Sequence, residues 1–500
     1  MNRSGVQEPP IAAATTRAHW WILVVIAGAQ LMVVLDTTIM IIALPSAQHS
    51  LGFSDTDRQW VVTAYTLGFG GLLLLGGRLA DLFGPKRTLL AGVLGFALAS
   101  AIGGAAQSTG MLIGARALQG MFGALLAPSV LSLLTTTFTD PRERGRAFGI
   151  YATIAIGGAA FGLILGGLLT QYLDWRWCLY VNLPVAAVVV VGATTMIPPQ
   201  VGHGGVRLDV PGAVVGCGGL VALVYGLGEA ASYGWHSAHV LAPLGLAVVL
   251  LSVFLVIQAR SAHPLLPLRV LADRNRGGSF LTIMLAVLGM YGTFLFLTYL
   301  LQTVDHYSPL VTGVAFLPLM VVNGLAATQL ASRLMPRMAT RLLVVPGLLI
   351  AAVDVALLTR LTPGAPYVTS VLPTELLLGL GLGLALVPCI STATSNAEPR
   401  DVGITSATTN TSQQVGASVG TALLNTVAAT ATAAYLATHH ATGPATVDAA
   451  TVHGFATASW WAAASMVAGA AVGGILINAH PARDHETMQA VAVDAVGEVL

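Results

Sequence analysis

Charged residues are scarce in this chain of 500 residues. They make up 9% of it, whereas an ordinary soluble domain carries roughly a quarter, and 55% of the residues are hydrophobic. The 22 Lys and Arg nearly balance the 21 Asp and Glu, so the net charge of +1 gives no indication of nucleic acid as a partner. This composition argues against a soluble protein and predicts an all-α integral membrane protein in contact with lipid.

Cysteine is also rare, with three residues. Cys178, Cys217 and Cys389 lie far apart in apolar surroundings, without the paired spacing of a metal site or a disulfide framework, so we interpret them as packing residues. The sequence motifs of phosphate-binding loops, zinc proteases and serine hydrolases are missing too. We therefore expect no metal site and no soluble-enzyme chemistry.

Long apolar stretches are what the sequence does contain. A bilayer core of about 30 Å requires roughly 20 apolar residues per helix, and the chain has fourteen such stretches. The predicted spans are 19–45, 58–80, 87–107, 111–137, 144–170, 179–197, 210–230, 239–259, 278–301, 309–332, 341–361, 369–395, 403–430 and 454–478.

The basic residues support this count. Cytoplasmic loops of membrane proteins are enriched in Lys and Arg, and 18 of the 22 fall in cytoplasmic segments if both chain ends are cytoplasmic. Arginine outnumbers lysine 21 to 1, which indicates a GC-rich genome. We expect a multi-pass protein of a bacterial inner membrane.

Two pairs of similar segments predict an internal duplication. LADLFGPK (79–86) resembles LASRLMPR (330–337), and PRERG (141–145) resembles PRDVG (399–403), at similar offsets; chance similarity in apolar sequence is the alternative. Duplication with a central site is a transporter plan. The predicted regions are an N-terminal tail (1–18), a six-helix bundle (19–197), an inserted helix pair (198–277), a second six-helix bundle (278–478) and a C-terminal tail (479–500).

Ionisable residues inside the spans are the candidate functional residues, because a charge at the bilayer centre costs roughly 2.5–3.5 kcal/mol on insertion scales. Asp36 in span 1 could bind and release a proton, or could belong to a static hydrogen-bond network. Arg116 in span 4 requires an interior partner and could regulate Asp36 or form a structural ion pair; Gln119 lies on roughly the same helix face.

The second half contributes further candidates for a substrate cavity. Asp354 in span 11 and Glu375 near the outer end of span 12 could bind a cationic substrate or a second proton, although Glu375 could equally be solvated. Asn410, Gln413 and Gln414 form a polar stripe in span 13, which either lines a hydrated cavity or hydrogen-bonds neighbouring helices.

The stretch GRLADLFGPKR after span 2 predicts a tight cytoplasmic turn, in which Asp81 could pair with an arginine in one conformation and separate in another. The alternative is a cytoplasmic loop that is basic only because such loops are enriched in Lys and Arg, with no role as a gate. The candidate gate residues are Gly77, Asp81, Gly84, Lys86, Arg87, Arg142 and Arg146.

Span 5 is rich in glycine. Gly158, Gly162 and Gly166 recur every four residues, so they share one helix face that would allow a neighbouring helix to approach closely. Gly149 and Gly167 lie about half a turn away, where we expect a second close contact.

Taken together, these motifs resemble the major facilitator superfamily, and in particular its fourteen-span drug:proton antiporter group. The resemblance rests on LDTTIMIIALP (35–45), GGRLADLFGPKR (76–87), LIGARALQG (112–120), DWRWCLYVNLP (174–184) and YLLQTVDHYSPLVTGVAFLP (299–318). Span 5 also reproduces every glycine of the group's antiporter motif. It departs at Leu163, where the motif has proline.

The resemblance implies two bundles that rock about a central cavity and proton entry that drives export of a lipophilic drug or natural product. It implies Asp36 as the proton carrier, Arg116 as its regulator and Asp81 with nearby arginines as a gate. No cofactor other than the proton gradient is expected, and the family default is a monomer.

Two other functions stay open. Proton-coupled uptake of a small solute would need no different fold, but the ExxER signature of fourteen-span peptide carriers is missing from span 1. A non-transporting membrane sensor or an intramembrane enzyme is the second, although no histidine lies beside a reactive Ser or Cys within the spans.

Overall fold

Helices are the only regular elements in the described part of the chain. The computed structural model describes residues 11–138, 140–200, 208–261, 263–395, 402–439 and 443–479. The helices are α1 (Ile11–Leu51), α2 (Asp55–Phe83), α3 (Pro85–Gly104), α4 (Thr109–Thr137), α5 (Pro141–Tyr172), α6 (Trp177–Tyr180), α7 (Asn182–Met196), α8 (Val210–Tyr233), α9 (Ala238–Arg260), α10 (Leu268–Ala272), α11 (Arg274–Tyr299), α12 (Pro309–Ala315), α13 (Leu317–Leu325), α14 (Ser332–Leu334), α15 (Arg341–Leu358), α16 (Tyr367–Ser370), α17 (Leu372–Thr394), α18 (Val402–His439) and α19 (Pro444–Leu476).

Every predicted span coincides with a helix or a run of helices. Thirteen helical segments of the described chain are long and apolar enough to cross a membrane. The remaining predicted span, 144–170, lies in α5, a helix of 32 residues. The all-α membrane fold predicted from composition is therefore confirmed.

Three spans are divided between helices. Span 6 is divided into α6 and α7 at Val181, span 10 into α12 and α13 at Phe316, and span 12 into α16 and α17 at Val371. Pro318 lies in the first turn of α13, where its missing N–H would break the hydrogen-bond pattern of an unbroken helix. Segments 300–304 and 326–331 are π-helical, so spans 9 and 10 also depart from regular α-helical hydrogen bonding there.

The helices form two bundles. In the first, α1 packs against α5 and α7, and α2 packs against α4, around a core that includes Phe96 and Leu133. In the second, α11 packs against α18 and α19, and α15 packs against α17, around Phe316 and Met466. We call the end where α2 meets α3 the basic end, and the end where α1 meets α2 the distal end.

Hydrogen bonds join the two bundles near the distal end. Arg58 at the start of α2 is 5% exposed; its Nε donates to Asn425 Oδ1 of α18 at 3.2 Å, and Nη2 donates to the same oxygen. The guanidinium carbon lies 4.1 Å from the ring centroid of Tyr299 in α11, and the Tyr299 hydroxyl bonds Gln48 Oε1 of α1 at 2.6 Å. The bundles are therefore closed against each other at this end.

The inserted helix α8 contacts both bundles. Thr426 Oγ1 of α18 donates to the Leu227 carbonyl of α8 at 2.9 Å. On its other side, α8 places Cys217 directly against Gly71 of α2, where a β-carbon on the glycine would collide with the sulfur. Helix α8 thus covers the line along which α2 and α18 meet.

The repeated glycines of α5 lie against α1. A β-carbon at Gly158 would lie 2.8 Å from Leu31 Cδ1, and one at Gly166 would lie 3.0 Å from the Cα of Ile39. At Gly162 a β-carbon would collide with Oγ1 of Thr38. The absence of side chains therefore allows α1 and α5 to pack at short distance.

The two glycines on the other side differ from each other. A β-carbon at Gly167 would lie 2.6 Å from the Cα of Leu310 in α12, so this glycine allows the two bundles to meet. Gly149 has open space within 4 Å, and no close contact requires a glycine there. The expected second contact is thus present at Gly167 and not at Gly149. Leu163, at the position of the motif proline, is fully buried.

We expect Gly162→Val to lower the free energy of unfolding by about 1–3 kcal/mol relative to Gly157→Val. The intrinsic helix cost of valine is shared by both variants, but a β-carbon at Gly157 meets no atom within 4 Å. Thermal unfolding in detergent, followed by tryptophan fluorescence, measures the difference. Equal unfolding midpoints would show that the α1–α5 contact does not depend on glycine.

Candidate functional site

Asp36 and Arg116 form a buried ion pair inside the first bundle. Nη1 of Arg116 in α4 lies 2.5 Å from Oδ2 of Asp36 in α1. Arg116 is 2% exposed and Asp36 is 1% exposed. A buried charge needs an opposite charge and further hydrogen bonds to offset its lost hydration, and each of these residues supplies the other's counter-ion.

Amide side chains complete the coordination of the carboxylate. Gln119 Nε2 of α4 donates to Asp36 Oδ1 at 2.9 Å, and Asn182 Nδ2, from the first turn of α7, donates to the same oxygen at 3.0 Å. Ser100 Oγ of α3 accepts from Gln119 Nε2 at 2.7 Å. We call Asp36, Ser100, Arg116, Gln119 and Asn182 the Asp36 network; all five are buried.

The guanidinium has partners on two helices besides α1. Arg116 Nε donates to the Val61 carbonyl of α2 at 3.2 Å, and Nη1 donates to Gln119 Oε1 at 2.8 Å. Its Cζ lies 4.4 Å from the ring centroid of Tyr65, within cation–π distance. The charge of Arg116 is therefore held by four partners rather than by Asp36 alone.

This geometry sets what proton binding would do. Asp36 accepts three N–H donors, two on Oδ1 and one on Oδ2. A proton on the carboxyl would remove its negative charge and leave the buried guanidinium of Arg116 without its counter-ion. Proton uptake at Asp36 would therefore weaken the attachment of α1 to α4.

Sequence reasoning missed Asn182 and Ser100. Asn182 lies within the predicted span 179–197, where it is the sole amide, and this was the available signal. Ser100 gave no signal, because single serines occur throughout apolar helices, where they commonly bond their own backbone.

The structure places Asp354 and Glu375 together in the second bundle and apart from the Asp36 network. Asp354 is in the penultimate turn of α15 and Glu375 is in the first turn of α17, so both lie towards the distal end. Each is 1% exposed. Tyr367 in α16 contacts Glu375 Oε2 through its hydroxyl at 3.0 Å.

The polar stripe of α18 lies where the two bundles meet. Gln414 packs against Gly70 of α2, and Thr411 Oγ1 donates to the Gly70 carbonyl at 3.2 Å. Asn410 is half-buried, and its Nδ2 donates to the Ser406 carbonyl of its own helix at 3.0 Å. Gln413 is half-buried. At Gln414 the stripe therefore packs one bundle on the other.

The predicted gate lies at the basic end. Gly84 joins α2 to α3 with a φ of +87°, a conformation that favours glycine. Lys86 Nζ donates to the Thr194 carbonyl at 3.1 Å and to the Ile197 carbonyl, which attaches α3 to the end of α7. Gly77 lies in α2, where a β-carbon would make an ordinary 3.8 Å contact with Pro128.

The charged members of the gate are mostly exposed. Asp81 lies in the last turn of α2, and Arg87 lies in the first turn of α3, both exposed. Arg146 is exposed in α5, and the side chain of Arg142 lies outside the described residues. The structure therefore brings these residues to one end of the molecule.

Comparison with known proteins agrees with this architecture. The family model described as Major Facilitator Superfamily matches residues 26–207 and 210–421. The chain is 52% identical over 469 residues to a puromycin resistance protein of Streptomyces alboniger, covering 93% of both chains. It is 38% identical over 418 residues to a cephamycin export protein of Amycolatopsis lactamdurans, covering 82% of this chain and 86% of the relative.

Solved structures show the same fold. The crystal structure of the POT family transporter PepTSo superposes with a TM-score of 0.67 at 16% identity, covering 92% of this chain and 97% of that one. At this identity the likeness concerns the fold alone.

We expect the single substitutions Asp36→Asn and Arg116→Met each to lower the free energy of unfolding by about 3–5 kcal/mol, because each removes one partner of a buried pair. The double variant should lose less than the sum of the two, since it leaves neither charge unpaired. Thermal unfolding in detergent measures all three.

The matched control is Asp174→Asn, which removes a carboxylate from the exposed pair with Arg176 at 3.4 Å. It should cost less than about 1 kcal/mol, as exposed pairs do. Additive losses in the double variant would contradict an interaction between Asp36 and Arg116.

Proposed function

The chain belongs to the Major Facilitator Superfamily, and we propose that it exports lipophilic, antibiotic-like molecules across a bacterial inner membrane in exchange for protons. It is a multi-pass membrane transporter and not an enzyme. The observation that carries the proposal is the carboxylate of Asp36, buried within the first bundle and paired with Arg116. No cofactor beyond the proton gradient enters the proposal, and the working unit is a monomer.

The substrate class follows from the relatives. The 52% identical protein is named for puromycin resistance and the 38% identical one for cephamycin export. These compounds differ in chemistry, so their names support antibiotic export as a class. Puromycin is the first compound to test, because its resistance protein matches nearly the whole chain.

Coupling to protons is supported by the ion pair at Asp36. The ionised carboxylate accepts three donors from α4 and α7, and a proton on it would leave the buried guanidinium of Arg116 without its counter-ion. Binding a proton therefore favours a different packing of α1 against these helices. A difference in proton affinity between two packings is what couples a proton to a conformational change.

The orientation in the membrane is supported by the positions of the basic residues and of the closed end. Basic loops favour the cytoplasmic side, so the basic end, which carries Arg78, Lys86 and Arg87, faces the cytoplasm. The distal end, closed by Arg58 and Asn425, then faces outward. In the alternate state the distal bonds separate and the basic end closes, with Asp81 and the arginines of α3 and α5 as its gate.

Transport in proteoliposomes tests the proposal. Vesicles with an acidic interior, diluted into a buffer of higher pH, should accumulate labelled puromycin against its gradient until a protonophore is added. Asp36→Asn should abolish this accumulation, because the amide cannot carry a proton, while labelled and unlabelled puromycin still exchange across the membrane.

Asp174→Asn, at the exposed carboxylate, is the matched control and should accumulate puromycin as the unmodified protein does. Uphill accumulation by Asp36→Asn would exclude Asp36 as the proton carrier. If the unmodified protein moves puromycin at the same rate without a proton gradient, the antiport mechanism is wrong.

A further inference from the structure

Two buried carboxyl groups of the second bundle have no role in the mechanism above. Asp354 of α15 and Glu375 of α17 are each 1% exposed, and Glu375 acts electrostatically on Asp354. Their neighbours Val355, Val371 and Leu378 belong to one buried apolar cluster. We call Asp354, Glu375 and Tyr367 the distal acid site.

The hydrogen bonds of Tyr367 indicate the protonation state of Glu375. The Tyr367 hydroxyl lies 2.6 Å from the carbonyl oxygen of Ala315 and 3.0 Å from Glu375 Oε2. A carbonyl can only accept, so the single hydroxyl hydrogen of Tyr367 is committed to Ala315. The shorter distance agrees with this assignment. The contact with Glu375 is then a hydrogen bond only if Glu375 carries a proton and donates it to the tyrosine oxygen.

The remaining oxygens agree with neutral carboxyls. Among the described residues, both oxygens of Asp354 and Oε1 of Glu375 are buried without a hydrogen-bond partner. An ionised carboxylate in apolar surroundings requires donors, as Asp36 has, whereas a protonated one is tolerated far better. Within the described part of the chain, neither acid has the hydrogen-bonded cation or amide that Asp36 has.

Ala315 connects this site to the contact between the bundles. It is the last residue of α12, the helix that meets α5 of the first bundle. At that contact the Leu310 N–H of α12 donates to Gln171 Oε1 at 3.3 Å, and Gly167 lies against the backbone of Leu310. The Tyr367 bond to Ala315 thus attaches the distal acid site to the contact between α12 and α5.

We propose that the distal acid site binds a proton and that this proton stabilises the closed distal end. When Glu375 releases its proton to water at the distal end, its carboxylate becomes a stronger acceptor than the Ala315 carbonyl. The Tyr367 hydroxyl then donates its hydrogen bond to Glu375 instead of to Ala315. The Ala315 carbonyl then loses its donor, and the contact of α12 with α5 weakens. The step transfers one proton from Glu375 to water and makes or breaks no other covalent bond.

Few other titratable groups act on this site in the described chain. Asp354 faces it from α15, and Tyr307, in the loop before α12, acts on Tyr367. Asp305 of the same loop accepts a hydrogen bond from the backbone N–H of Gly364 at 2.9 Å.

The inference rests on the proposed function only in treating the opening of the distal end as a step of transport.

A distance measurement on the full chain in lipid nanodiscs, without substrate, tests the proposal. Spin labels on Tyr172→Cys of α5 and Val447→Cys of α19 report the separation of the bundles at the distal end, since both side chains are exposed. The labelled protein also carries Cys217→Ser, because Cys217 is partly exposed and could react with the label, whereas Cys178 and Cys389 are buried. Raising the pH should convert a short distance into a long one.

Two variants identify the group. Glu375→Gln should keep the short distance at every pH, because the amide donates to Tyr367 as a protonated carboxyl does but cannot ionise. Tyr367→Phe should show the long distance at low pH as well, because Ala315 has lost its donor. The proposal is wrong if the distance in the unmodified protein does not respond to pH. It is also wrong if Glu375→Gln keeps the pH response or if Tyr367→Phe keeps the short distance.

Asp36→Asn separates this inference from the proposed function. A pH response that persists in Asp36→Asn and is lost in Glu375→Gln belongs to the distal acid site, whatever the outcome for puromycin transport. A response that is lost in Asp36→Asn and persists in Glu375→Gln belongs to Asp36, which would refute the distal acid site and leave proton-coupled export intact.

Discussion

The ion pair between Asp36 and Arg116 is the constraint on which the first bundle depends. Neither charge can be hydrated where it lies, so each must be surrounded by protein groups of the opposite polarity. These groups come from α1, α2, α3, α4 and α7, and the pair therefore fixes the relative positions of five helices. Apolar packing alone would tolerate small shifts between these helices, whereas a network of directional hydrogen bonds defines one arrangement.

Much of this architecture could be predicted from the sequence, for physical reasons that are local. Span number follows from the length of apolar stretches, and Asp36 and Arg116 attract attention because charge is costly in lipid. The spacing of Arg116 and Gln119 places them on one helix face, and both indeed contact Asp36. Contacts between distant segments were not predictable. Arg58 and Asn425 are 367 residues apart, and no periodicity indicates that they meet.

The two halves of the chain stabilise buried acids in different ways. Asp36 is surrounded by an arginine and two amides, which donate three hydrogen bonds to it. Asp354 and Glu375 have a tyrosine and apolar neighbours, which suit an uncharged acid. The sequence analysis made Asp36 a proton carrier and placed Asp354 and Glu375 among the substrate-cavity candidates. The neighbours that distinguish these sites come from other helices, so the sequence alone could not show them.

The contacts of α2 with α18 have a mechanical consequence. They extend from Arg58 near the distal end through the 2.6 Å bond between Thr66 and Ser418 to Gly70, and α8 packs over both helices. Helices α5 and α12 join the two bundles separately, through residues 163–171 and 310–313. The distal end can therefore open by separating the Arg58–Asn425 and α5–α12 contacts, while the contacts of Thr66 and Gly70 keep α2 attached to α18.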